Sequence, residues 1–105
     1  ARRVLTHKTF DLMRENRVDL LCYPGMVSDP PPIDQMSPFY YLKAPLITAP
    51  ANLTGAPAAA IRAGFSDANM PMSFQLTGHM FADSKVLSAA NAYEQATPKY
   101  SRIVE

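Results

Sequence analysis

The sequence predicts an α/β fold, and three observations carry that prediction. Residues 5–13 place apolar side chains at helical period. Val18-Asp19-Leu20-Leu21-Cys22-Tyr23 is a nearly continuous apolar run closed by Pro24-Gly25. Met72-Ser73-Phe74-Gln75-Leu76-Thr77 alternates apolar with polar. Helix-period and strand-period segments interleaved in one chain describe helices packed on a sheet.

Taken in order, the first element is a helix with Leu5, Thr9, Leu12 and Met13 on one stripe. These sit at i, i+4, i+7 and i+8, the spacing of a single helical face. Phe10 lies at the edge of the stripe, Lys8, Asp11, Arg14 and Glu15 occupy the other side, and Asn16-Arg17 closes the helix. The run from Val18 to Tyr23 fits a strand covered on both faces, because a half-exposed strand would alternate. Pro24 stops it, since proline has no N–H for the ladder.

Residues 24–50 change character. Seven of the ten prolines fall here: Pro24, Pro30, Pro31, Pro32, Pro38, Pro45 and Pro50. Met26, Ile33, Met36, Phe39, Tyr40, Tyr41, Leu42, Leu46 and Ile47 are interspersed. Restricted backbone and apolar anchors together predict a long ordered loop lying against a surface, with a short helical turn at Tyr40-Tyr41-Leu42. A loop of this length is out of place in a small complete domain and fits a piece of a larger one.

Beyond Pro57, Ala58 to Ala63 reads as a strand closely packed on a neighbour, and Gly64 to Asn69 supplies turn residues. The alternating strand at 72–77 has one wetter face and pairs with it as a hairpin, ending at Gly78. Asp83 or Ser84 caps a last helix whose buried stripe is Val86, Ala89, Ala90, Tyr93 and Ala96. Thr97-Pro98 ends that helix.

Composition narrows the function classes. Among 105 residues, 48% are hydrophobic and 18% charged, which excludes a disordered polyelectrolyte. A net charge of +1, with no basic run longer than Arg2-Arg3, gives no reason to expect nucleic acid or an anionic membrane as partner. No apolar run is long enough for a membrane span. Asn52-Leu53-Thr54 fits a glycosylation acceptor, a tripeptide too common to carry weight. The single cysteine, Cys22, forms no internal disulfide, which fits a cytoplasmic setting. Within an apolar strand it reads as a small packed hydrophobe rather than the partner of His7 or His79 in a thiol–imidazole pair. Two histidines without clustered carboxylates do not make a metal site, and no cofactor is implied. His79 reads as a loop histidine, and Asp29, Asp34, Asp67 and Asp83 as turn or cap residues.

Several segments, in order, resemble the C-terminal part of amidase signature enzymes. They are Asp19-Leu20-Leu21 with Pro24, Pro30-Pro31-Pro32-Ile33, Pro50-Ala51-Asn52-Leu53-Thr54-Gly55-Ala56-Pro57, Gln75-Leu76 with Gly78, and Ala92 to Pro98. The resemblance covers nearly the whole chain, residues 1–105. It implies a fragment of an α/β/α sandwich around a mixed sheet, to which this chain contributes about three strands, the long Pro-rich loop and two helices. Asn69-Met70-Pro71-Met72-Ser73 departs from the family's Gly-Leu-Pro-Val-Gly lead-in to the second strand.

The family's chemistry is hydrolysis of a carboxamide by a Ser–Ser–Lys set, in which a buried lysine of depressed pKa serves as base. None of Lys8, Lys43, Lys85 and Lys99 is followed by the Gly/Ser-rich loop that this mechanism needs. The resemblance therefore implies no catalytic residue in this chain, and as partners the remainder of the amidase domain and a small amide, with a homodimer left open. By position in the family's loop, Pro45, Leu46 and Thr48 are the substrate-binding residues.

Tyr41 to Leu53 is similar to the A subunit of glutamine-dependent tRNA amidotransferases. Those proteins carry an aspartate three residues before the position of Thr48, and this chain has Pro45. Proline offers no charge and no acceptor for an amino group, so the reading favours a general amidase over the amidotransferase. The rival class is a stand-alone interaction module that binds through the Pro-rich loop, with Phe39-Tyr40-Tyr41, or through an unpaired strand edge.

Overall fold

The computed structural model describes residues 1–43 and 46–100. Two long helices, α1 (Arg2–Glu15) and α4 (Asp83–Ala96), flank a sheet of β1 (Leu20–Pro24), β2 (Ala58–Phe65) and β3 (Pro71–Gly78). One helical turn, α2 (Tyr40–Lys43), and a short helix, α3 (Ala49–Thr54), lie between β1 and β2. The strands run in the order β1-β3-β2 and both pairings are antiparallel. A mixed α/β fold is thus present, with its sheet portion wholly antiparallel.

The hairpin expected from the sequence forms. Ser66 N donates to Met70 O (2.9 Å), and Asn69 takes the left-handed conformation (φ 61°) that a short polar side chain tolerates. The register slips between Arg62 and Gly64, a bulge that Gly64 accommodates at φ 149°.

One sheet face builds the core. Ile61, Leu76 and Val86 are buried together, with Leu20, Ala59, Phe74, Ala89, Ala90 and Tyr93 packed around them. Phe74 and Tyr93 meet edge-on, ring centroids 4.8 Å apart. The α4 stripe is therefore as the periodicity predicts, except that Ala96 is exposed. Its cap differs: the helix opens with Asp83 already inside it, and Ala82 holds the N-cap position without a side-chain bond. Thr97 Oγ1 donates to Tyr93 O (2.7 Å) where Pro98 ends the helix.

Four expectations change in the structure. In α1 the buried side is centred on Met13, with Thr6, Thr9 and Phe10 half-buried, whereas Leu5 and Leu12 are exposed. The helix is rotated so that it packs on α3, where Arg2 donates to the Leu53 and Asn52 carbonyls. The β1 run is not covered on both faces: α4 lies over β2 and β3, and Cys22 at the sheet edge is exposed. Ala58 and Ala60 are exposed as well, and only Ala59 reaches the core.

The Pro50–Pro57 stretch contains the body and end of α3. Pro50 sits in the first turn of α3, where a missing N–H costs nothing, and Gly55 closes it in the left-handed region (φ 73°) with its N–H on Ala51 O. Finally, Ile33, Phe39, Leu42 and Leu46 do not anchor the long loop, since all four are exposed. Among the described residues nothing covers them.

Candidate functional site

Of the three residues expected to bind substrate, Pro45 lies outside the described residues. Leu46 and Thr48 stand two residues apart at the head of α3: Thr48 is its half-buried N-cap, and Leu46 is 67% exposed. Neither residue lines a depression described below, and chemistry there would need polar or nucleophilic groups opposite Leu46. No such groups are gathered there among the described residues.

Of the lysines whose side chains are described, none meets the burial requirement for a catalytic base. Lys8 and Lys99 are exposed, and Lys85, 55% exposed, donates to Asp19 Oδ1 at 2.6 Å. The hydrogen bond and charge of Lys85, with a smaller contribution from His79, hold the Asp19 carboxyl below the ordinary aspartate range. No group of three or more His, Cys, Asp or Glu side chains is assembled among the described residues.

Polar chemistry concentrates instead on the sheet face opposite the core. Tyr23↔Gln75 and Leu21↔Thr77 pair across β1 and β3, which brings Tyr23, Gln75 and Thr77 to one side. The Tyr23 and Thr77 hydroxyls share a 2.7 Å hydrogen bond, and Gln75 Nε2 donates to Tyr23 Oη (2.9 Å) and Thr77 Oγ1 (3.3 Å). Gln75 and Thr77 are buried. The face predicted to be wet is a closed hydrogen-bond network, because neutral polar groups that satisfy one another can leave water. The readable signal was Tyr23 lying level with the i, i+2 pair Gln75 and Thr77.

Two depressions are formed by described residues. One of about 280 Å³ is lined by Thr6, His7, Phe10, Arg14, His79 and Met80. There the His79 ring stacks on Phe10 at 6.0 Å, and Nε2 donates to Val18 O at 3.0 Å, so His79 ties the β3–α4 loop to β1's approach. The other, about 670 Å³, opens where Arg62, Met72 and Ser73 meet Glu94 and Thr97.

A piece of a larger α/β domain, with open sheet edges and uncovered apolar side chains, is the class these features define. The amidase family sequence model matches residues 1–87. The chain belongs to the amidase family. It is 34% identical over 102 residues to the A subunit of Glutamyl-tRNA(Gln) amidotransferase from Chloroflexus aggregans, covering 95% of this chain and 20% of that protein. With the protein of the same name from Brevibacillus brevis it shares 42% identity over 57 residues, 54% of this chain and 12% of that one. The crystal structure of the Glutamyl-tRNA(Gln) amidotransferase A subunit from Thermotoga maritima superposes with a TM-score of 0.81 at 33% identity, covering 92% of this chain and 21% of that chain. The fold is thus a fragment of the amidase signature fold, and the chain spans about a fifth of the length of the Chloroflexus and Thermotoga proteins. The rest of such a domain is its structural partner.

Proposed function

We propose that residues 1–105 form the C-terminal part of a cytoplasmic amidase signature hydrolase that cleaves a carboxamide to an acid and ammonia or an amine. Ser–Ser–Lys catalysis comes from residues outside this chain, and Pro45, Leu46 and Thr48 contribute to the wall of the amide pocket. The observation that carries this reading is the match to the amidase family, continuous over residues 1–87. The exposure of Lys8, Lys85 and Lys99 supports it from the other side, since none of these three has the burial that a neutral base requires.

Pro45 favours a general amidase, because it can neither pair with nor accept from an ammonium group. The second reading, an amidotransferase component, is favoured by the names of the relatives. Ammonia release separates the two when the full-length polypeptide is given simple carboxamides and, in parallel, glutamine. Turnover of simple amides with glutamine inert supports the amidase; the reverse pattern supports the amidotransferase. The 105-residue chain alone is expected to release no ammonia from either, and measurable turnover by it overturns the assignment of catalysis to residues outside this chain.

A further inference from the structure

The β3–α4 corner holds a side chain that the fold presents at a cost. Phe81 is 90% exposed and its backbone is in the left-handed region at φ 63°. Either feature is uncommon for a bulky aromatic residue, and together they oppose what the isolated chain prefers. The corner itself is firmly held. Gly78 N donates to Pro57 O (3.0 Å), Ala82 N to His79 O (3.0 Å), and His79 is fixed by Phe10 and Val18. The loop is thus not free to relax, and the ring is aimed outward by a rigid mount next to the partly exposed Met80.

We propose that Phe81 is an anchor seated in an apolar pocket of the remainder of the amidase domain, so that the β3–α4 corner is an internal seam of the full-length protein. The occupant follows from length: the Thermotoga chain on which nearly all of this one superposes is about five times as long, so most of that fold lies outside this chain. A strained backbone persists where the surroundings over-determine it. The other part of the domain supplies those surroundings, and burial of the ring offsets the strain. This proposal rests on the reading that the chain is a piece of a longer amidase.

The test uses the full-length polypeptide with Phe81→Gly, Phe81→Leu and Phe81→Cys. Glycine relieves the left-handed strain, so on a solvent-exposed corner F81G leaves the melting temperature unchanged or raises it. Seated as an anchor, F81G lowers it by several degrees, F81L by clearly less, and F81C reacts with a maleimide at least tenfold more slowly than the same variant unfolded in denaturant. Unchanged or higher melting with F81G, or labelling of native F81C as fast as the unfolded rate, overturns the proposal. Protection that disappears on dilution points to a second copy as the occupant and overturns it too. Ammonia release by the unsubstituted protein is measured separately: its absence, with Phe81 still protected, removes the hydrolase reading and leaves the seam standing.

Discussion

Two glycines of this chain would respond to the same substitution for different physical reasons. Gly55 closes α3 at φ 73°, and a Cβ built there meets nothing within 4 Å. Gly55→Ala therefore carries only the backbone penalty of a left-handed alanine, about 1 kcal/mol, and Gly55→Asn less. Gly78 has no such conformation, but its Cβ would stand 2.7 Å from Val86 Cγ2 and 3.4 Å from Leu20 Cδ2. Gly78→Ala overpacks the core, at about 1–3 kcal/mol. Denaturant unfolding of the full-length variants should rank Gly78→Ala as the larger loss. At this scale the sequence was readable at Gly78, which reads as the end of a strand and is one. It was not readable where a role depends on a distant neighbour. Cys22 looked packed because its flanking residues are apolar, yet its exposure follows from where α4 lies. Leu46 and Thr48 took their assignment from resemblance, and local pattern could not say what faces them.

Among elements, the junction of β1 with α4 is pinned by Asp19 and Lys85, 66 residues apart in sequence. The Asp19 pKa is lowered in the folded chain, first by the Lys85 hydrogen bond and charge. A depressed carboxyl contributes stability above its unfolded pKa of about 3.9, and the contribution is lost as pH falls through the folded value. The pH dependence is thus confined to pH below about 4, where the contribution is lost, and the pair's exposure keeps it small and salt-sensitive. Carboxyl NMR titration of selectively 13C-Asp-labelled full-length protein should find Asp19 titrating below the ordinary range and moving upward in Lys85→Met. An unmoved midpoint in that variant removes the pin. The elements themselves were legible because their periods differ: the α4 stripe and the hairpin stand where the pattern puts them. The helix α3 was missed because Pro50 and Gly55 bracket only a few residues, too few to display a period. The wet face of β3 was misread because alternation reports polarity, whereas burial depends on whether Tyr23 across the ladder completes the hydrogen bonds of Gln75 and Thr77.

For the whole molecule, the relation of core to extent decides how the isolated chain behaves. Its radius of gyration is 15.5 Å and its axes are 42 × 36 × 18 Å, a slab, whereas a compact domain of about 100 residues has a radius near 13 Å. Among the described residues only Met13, Ala51, Ile61, Leu76 and Val86 are buried hydrophobics, while Ile33, Phe39, Leu42, Leu46, Phe81 and Leu87 are each more than 60% exposed. Each exposed side chain of this kind forfeits about 1.5–3 kcal/mol of burial, and a net stability of only about 5–15 kcal/mol leaves little room for six of them. The two outer strands also leave sheet edges open to association. The 105-residue polypeptide expressed alone is therefore expected to melt without a sharp transition and to bind a hydrophobic dye. The same residues within the full-length protein should show one cooperative transition and no dye binding. A cooperative melt of the isolated chain as a monomer, without dye binding, would show instead that these residues fold without the rest of the domain. Here the exposed apolar residues and the short span, about a fifth of the Chloroflexus and Thermotoga proteins, point the same way: these surfaces need the rest of the domain.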